Sequence, residues 1–255
     1  MRNNQIKKLY ELDWENERNS ISNPHAVAGT VNDTIIHTQE IFDQICDEGS
    51  TILDLGCGDG KYHEQFFPNY NFIGIDYINK KFNEYKNNKY FIHDLNDIPY
   101  RCLQKKNFKY VMCIEVIEHL IRPDLFLEYI HDKILTKLGY LFLVTDNKDN
   151  LDDKINNIDI SIYDPRLKQF TKNRWTHGHI RYFNVKSMYQ LLDDVGFKIL
   201  AIGGCGLSNS PIADKISEMN QKFFNIDRTR TLKALGHAIP QYSPSMYVLA
   251  QKITD

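Results

Sequence analysis

The chain has 255 residues, of which 42% are hydrophobic and 25% charged, with a net charge of −2 and an isoelectric point near 6.5. That balance describes a soluble globular protein of one domain with insertions, and it argues against nucleic acid, because no dominant basic surface is present to hold an extended phosphodiester backbone. No stretch approaches the ~18 consecutive apolar residues of a membrane helix, and the polar start Met1-Arg2-Asn3-Asn4 does not read as a signal peptide. Five cysteines (Cys46, Cys57, Cys102, Cys113, Cys205), odd in number and without a C-x-x-C pair, suit a reducing compartment, so a cytoplasmic location is expected.

Residues 1–49 read as a mainly helical cap. Leu9, Leu12 and Trp14 fall early, and Ile35, Ile36, Ile41, Phe42 and Ile45 recur near helical spacing and should pack on a sheet. Asn19 to His25 is a loop between them. Tyr10, Trp14 and His25 are candidates to cover a ligand, with plain core or surface roles as the alternative.

The run Thr51-Ile52-Leu53-Asp54-Leu55-Gly56-Cys57-Gly58-Asp59-Gly60 is a short apolar strand emptying into three alternating glycines. Bare backbone of this kind lets a ligand approach without meeting Cβ atoms. Two further strands, Phe72 to Asp76 and Tyr90 to His93, each lead into an acidic residue, Asp76 and Asp94. In an open α/β sheet, ligands bind beyond the carboxyl ends of such strands. Asp76 lies 22 residues after Asp54, near the spacing of the ribose-binding acid in dinucleotide folds. The loop, however, is Gly56-x-Gly58-x-Gly60 rather than G-x-G-x-x-G, and no second nucleotide-binding half follows.

The remaining strands fall near 108–114, 139–145, 197–202 and 246–250, with helices between them. One helix opens at Pro123, and another runs from Ser187 to Val195 and closes at Gly196. Two insertions stand out, at about 148–178 and 205–243, and the second carries the cations Lys222, Arg228, Arg230 and Lys233 together with Ile212, Ile216, Phe223 and Phe224. Such a basic run is ordinarily a solvated helix face.

With these motifs in place, the chain resembles the class I S-adenosylmethionine-dependent methyltransferases over roughly residues 50 to 204 and a last strand near 245–253. The resemblance implies a Rossmann-like α/β fold with a seven-stranded mixed sheet in the order 3-2-1-4-5-7-6, the last strand antiparallel. It implies a cofactor site built from Asp54, Gly56, Cys57, Gly58, Gly60, Asp76, Tyr77, Asp94, Leu95 and Ile114. Asp76 would accept from the ribose hydroxyls, Asp94 from the adenine amino group, and the Leu95 N–H would face a ring nitrogen. S-adenosylhomocysteine is the expected product. Methyl transfer from a sulfonium needs no enzyme nucleophile, so Cys57 and Cys113 read as small packing residues.

Glu115, Glu118 and His119 have i, i+3, i+4 spacing and would share one face of a helix. Two carboxylates and an imidazole suit Mg²⁺ or Mn²⁺. The E-x-x-E-H run is similar to that of ubiquinone-biosynthesis O-methyltransferases and of small-RNA terminal 2′-O-methyltransferases. In these, such residues plus a distant histidine hold a divalent ion, here His179 or His177. The same run also occurs in related enzymes without a metal, where Glu115 shapes the cofactor pocket and His119 faces the acceptor. His179-Ile180-Arg181-Tyr182-Phe183 resembles a segment bordering the acceptor in methyltransferases of bacterial surface-glycan clusters. His119, His179, Glu115 and Arg181 are therefore the candidate catalytic set, with either histidine as base for a hydroxyl. The expected activity is O-methylation of a small polar acceptor, a sugar or phosphate-linked group of a surface polysaccharide such as capsule. A quinone-like phenol, an RNA 3′ end and a catalytically silent cofactor-binding partner are the alternatives.

Overall fold

The computed structural model describes residues 30–60, 63, 67–77, 88–103, 107–149, 179–206 and 211–254. Tyr10, Trp14, His25, His177 and nearly all of the insertion expected at 148–178 lie outside the described residues.

Helix α1 (Thr30–Ile45) leads into strand β1 (Thr51–Leu55), followed by β2 (Asn71–Asp76), β3 (Lys89–Ile92) and β4 (Phe108–Ile114). After helix α2 (Pro123–Tyr129) come β5 (Leu135–Asp146), helix α3 (Val185–Val195) and β6 (Phe197–Gly204). Helices α4 (Pro211–Phe224) and α5 (Arg228–Ala238) then precede β7 (Ser245–Lys252). The sheet has seven strands in the order β3-β2-β1-β4-β5-β7-β6, as the resemblance implies. Strands β1 to β5 pair in parallel, and β7 runs antiparallel to both β5 and β6.

Alternation along the strands divides the core into two layers. Leu53, Leu55, Ile75 and Val111 face Phe126 of α2 and Met188 and Leu192 of α3. Ile52, Phe72 and Phe142 face Phe42 of α1, whose ring meets Phe142 edge-on at 5.6 Å and Phe67 at 6.1 Å. Ile41, Phe42 and Ile45 of the expected stripe thus pack on the sheet, and a fully buried side chain such as Phe42 contributes about 1.5–3 kcal/mol. Helix α3 is held by its ends: Asn184 and Ser187 form a reciprocal capping box, and Gly196 closes it at φ 101°.

Three boundaries differ from the sequence expectation. β5 begins at Leu135, four residues before Gly139, because Leu138 takes φ 59° and a register shift between Phe108 and Tyr110 absorbs the extra residues. Helix α2 spans only about two turns before widening into a π-helical turn, Ile130–Ile134. The 205–243 insertion is a helical hairpin of α4 and α5. Among the described residues, no helix is long and apolar enough to cross a membrane.

Candidate active site

The functional candidates among the described residues converge beyond the carboxyl ends of the parallel strands. The loop leaving β1 carries Gly56 at φ 90°, Gly58 at φ 58° and Gly60 at φ 74°. Its backbone is zipped to β2: Gly56 and Cys57 donate to the Ile75 carbonyl at 2.8 and 3.2 Å, and Gly58 N–H donates to Asp76 Oδ2 at 2.9 Å. A Cβ on Gly56 would lie 2.1 Å from Val116 Cγ2, and one on Gly60 would lie 2.6 Å from the Tyr90 hydroxyl. A Cβ on Gly74 would come within 2.6 Å of Cys57 Sγ, which agrees with Cys57 as a packing residue. Burial, with Asp54 and Asp76 nearby, pushes the Cys57 thiol up, and burial does the same at Cys113.

Asp54 is buried beneath this loop and engaged by a residue that the sequence reading passed over. His63 Nε2 lies 2.6 Å from Asp54 Oδ2, and His63 Nδ1 lies 3.1 Å from the Tyr90 hydroxyl. Asn88 Nδ2 donates to that hydroxyl at 3.2 Å, and Asn88 Oδ1 accepts from Phe72 N–H at 2.7 Å. With Nε2–H donating to Asp54 and Nδ1 accepting from the Tyr90 hydroxyl, every member of the chain is satisfied. The ring also stacks on Phe72 with centroids 3.8 Å apart. No local spacing announces this network, because its members come from three separate strands and the segment after the glycine loop.

Asp94, beyond β3, accepts at Oδ1 from both the backbone and the side-chain amide of Asn96 at 3.0 Å. Asn96 Oδ1 in turn accepts from Ile121 N–H at 2.9 Å, joining the β3 end to the segment that follows β4. Leu95 is buried, its carbonyl accepting from the Tyr100 hydroxyl at 2.9 Å. Tyr77 directly follows β2, and Ile114 ends β4; both are partly buried. Glycine backbone that a Cβ would obstruct, ringed by acids at the ends of β2 and β3, fits a nucleoside cofactor carrying a methionine tail.

The E-x-x-E-H run does not form the helix expected of it. Glu115 sits at φ 53° with its N–H on the Val144 carbonyl at 2.9 Å, and only Ile117–His119 make a single 3-10 turn. A second segment, rather than helical periodicity, fixes the side chains. Ile180 and Arg181 N–H groups donate to the Glu118 carbonyl at 3.1 and 3.2 Å. The Arg181 guanidinium donates from Nε to the Leu120 carbonyl at 3.0 Å and from Nη2 to the Ile121 carbonyl. Arg181 is thus a brace that holds His179 against the turn, and desolvation lowers its pKa.

This brace brings Glu118, His119 and His179 together, with one donor atom from each within 4.8 Å of the others. Glu118 is fully buried; Thr145 Oγ1 donates to its Oε2 at 2.8 Å, while Oε1 makes no hydrogen bond. That orphaned oxygen lies 4.0 Å from Nε2 of both histidines. The two imidazoles meet edge to face, with centroids 4.7 Å apart. Behind them, Asp146 Oδ2 at the end of β5 lies 3.4 Å from His179 Nδ1. Burial first, then the Asp146 charge, raises the pKa of both Glu115 and Glu118. A buried carboxylate oxygen without a proton donor, faced by two imidazole nitrogens, fits a divalent cation. Glu115 lies beside this trio without belonging to it, its carboxyl pushed toward the neutral form by burial and the Asp146 charge. Asp146 escaped the sequence reading although it, too, is an acid at a strand exit.

Residues 32–202 match the family model described as a methyltransferase domain. No curated protein matches the chain by sequence. Among solved structures, a methyltransferase from Bacillus halodurans is 17% identical with a TM-score of 0.53, covering 86% of this chain and 99% of its own. The plantazolicin methyltransferase BpumL, solved with S-adenosylhomocysteine, is 15% identical with a TM-score of 0.55 and covers 99% of both chains. A small RNA methyltransferase is 14% identical with a TM-score of 0.55, matching 90% of this chain and 26% of its own. With the family model spanning most of the chain and the glycine loop and strand order in agreement, the protein belongs to the class I S-adenosylmethionine-dependent methyltransferases.

Proposed function

We propose that the enzyme methylates an oxygen of a small polar acceptor, a sugar or phosphate-linked group of a surface-glycan precursor such as capsule, in the cytoplasm. We further propose that Glu118, His119 and His179 hold a divalent cation, Mg²⁺ or Mn²⁺, beside the acceptor. The observation that carries this reading is the buried Glu118 Oε1, without a hydrogen bond and 4.0 Å from two imidazole nitrogens. S-adenosylmethionine supplies the electrophilic methyl group, and the cation, when bound, lowers the pKa of an acceptor hydroxyl.

The chain's own residues do the rest. The Gly56 to Gly60 backbone and Asp76 bind the nucleoside, and His63 keeps Asp54 and the loop in place. Without the cation, His119 or His179 would accept the hydroxyl proton in its place, and Asp146, 3.4 Å from His179 Nδ1, leaves Nε2 of that ring to face the cluster. Arg181 holds the two halves of the site in register, and alignment of acceptor, methyl and sulfur supplies most of the acceleration. Glu115, held toward its neutral form by burial and the Asp146 charge, shapes the pocket beside the cluster.

The small RNA methyltransferase among the structural neighbours supports a second reading, an RNA 3′ end as acceptor. The net charge of −2 favours the smaller acceptor. A quinone-like phenol would need the same cation, and a silent cofactor-binding partner would need neither base nor cation. A turnover screen with isotopically labelled methyl donor, against sugar nucleotides, glycan precursors, catechol-type phenols and RNA oligonucleotides, separates these readings. Label in a sugar or phosphate oxygen, lost with a chelator and regained with Mn²⁺, is the expected result. Label in RNA or phenol alone, or in nothing, overturns the acceptor assignment.

A further inference from the structure

The hairpin of α4 and α5 carries a surface that the methyl-transfer site does not use. α4 is fastened on its inner side: Ser217 is buried, and Asn220 Nδ2 donates to Thr231 Oγ1 of α5 at 3.2 Å. α5 is fastened in turn, with Leu232 buried and Lys233 paired to Glu40 of α1. A Cβ on Gly236 would lie 2.5 Å from the Gly206 backbone, so α5 sits directly on the end of β6. The connecting corner, by contrast, projects outward, every residue from Gln221 to Arg228 being exposed.

The corner is apolar where it projects. Phe223 and Phe224 are 65% and 70% exposed, Met219 is 54% and Ile226 38%. Two aromatic rings left mostly in water on adjacent positions are an unusual surface for a monomeric fold. The corner is closed by backbone hydrogen bonds: Asn225 takes φ 53°, its N–H donating to the Gln221 carbonyl at 3.2 Å and Ile226 N–H to the Asn220 carbonyl at 3.3 Å. The rings are therefore presented from a hydrogen-bonded turn, an arrangement that reduces the ordering needed on docking.

Cations surround the rings. Lys222 Nζ sits 5.4 Å from the Phe223 centroid, and Lys215, Arg228 and Arg230 are exposed along the same hairpin. The hairpin's sequence also holds three acids, Asp214, Glu218 and Asp227, and Asp227 is engaged by the α5 amino end (Arg230 N–H at 2.9 Å) and by Arg230 Nε at 3.4 Å. The hairpin thus carries local positive charge on a chain whose net charge is −2. An anionic partner would be met by this corner first.

We propose that the α4–α5 corner docks the enzyme on an anionic lipid bilayer, with Phe223, Phe224 and Ile226 entering the interfacial layer and Lys222, Arg228 and Arg230 meeting lipid phosphates. A convex corner suits a soft surface better than a preformed protein groove. Aromatic rings beside lysine and arginine match the interface between headgroups and acyl chains. Because β6 runs parallel to β5, the hairpin rises from the edge of the sheet that carries the histidine cluster. This docking is independent of the acceptor assigned above.

The test is co-sedimentation of the full-length chain with sucrose-loaded vesicles of pure phosphatidylcholine or of a 7:3 phosphatidylcholine–phosphatidylglycerol mixture, with size-exclusion light scattering in parallel. The expected result is binding to the anionic vesicles, weakened by salt and much weaker on neutral ones. Phe223→Ser/Phe224→Ser and Lys222→Glu/Arg228→Glu should each lower partitioning about tenfold or more. Circular dichroism melts matching the wild type show that these variants fold. Equal partitioning of wild type and both variants, or no binding to anionic vesicles, overturns the proposal. A dimer abolished by Phe223→Ser/Phe224→Ser, without vesicle binding, also overturns it and assigns the face to a second copy.

Discussion

His63 Nε2 stands 2.6 Å from Asp54 Oδ2, both side chains buried under the glycine loop. Replacing His63 by Leu leaves a buried carboxylate without its donor, which costs about 1–3 kcal/mol. His63→Leu is therefore expected to melt several degrees lower and to bind S-adenosylhomocysteine more weakly. Asp54→Asn, which still offers an oxygen to Nε2–H, should lose less stability, and Asp54→Asn/His63→Leu should lose less than the two single changes added. Strict additivity in a thermal double-mutant cycle would contradict the pairing.

Gly56 tests the loop itself. Alanine there brings its Cβ within 2.1 Å of Val116 Cγ2 and must also adopt φ 90°. Gly56→Ala should abolish detectable cofactor binding, and Gly56→Ala/Val116→Ala should recover only part of it, because removing the clash leaves the backbone strain in place. Full recovery of affinity in the double variant, measured by calorimetry, would show that the steric clash alone matters.

The proposed divalent site has a readout separate from turnover. Asp146 faces His179 Nδ1 at 3.4 Å, so Asp146→Asn should weaken Mn²⁺ binding about ten- to hundredfold. Glu118→Gln should remove it, with free Mn²⁺ followed by electron paramagnetic resonance. Mn²⁺ affinity unaffected by both changes places any ion elsewhere.

The thiols give a chemical test of burial. Desolvation pushes Cys46 up to about 12 and holds Cys57 and Cys113 well above the ordinary thiol range. All three are thus neutral thiols at pH 8, and iodoacetamide should leave Cys57 and Cys113 unmodified until urea is added, as read by peptide mass spectrometry. Rapid native alkylation of Cys57 would mean that the loop opens.

Much of this architecture was legible from residues alone. The short β-branched and aromatic runs at β1, β2 and β4 identified themselves, and the seven-strand order followed from the motif resemblance. Glu118, His119 and His179 were named in advance, and the structure places them within 4.8 Å of one another. Their support was not legible. The i, i+3, i+4 spacing suggested a helix, whereas Glu115 is left-handed and the histidines are aligned by Arg181 reaching across about sixty positions of sequence to two carbonyls. His63 and Asp146 were missed for the same reason: their partners are set by strand neighbours, and pairing across a sheet leaves no local periodicity. Asp146 had a usable signal, an acid at a strand exit, of the kind already read at Asp76 and Asp94.

Calorimetric titration of S-adenosylhomocysteine into the wild type and Asp76→Ala, both checked for native melting, bears most directly on where the methyl donor lies. Losing a charged acceptor for the ribose hydroxyls should weaken affinity about thirtyfold or more. Equal affinity in a folded Asp76→Ala protein would contradict a nucleoside held at the end of β2.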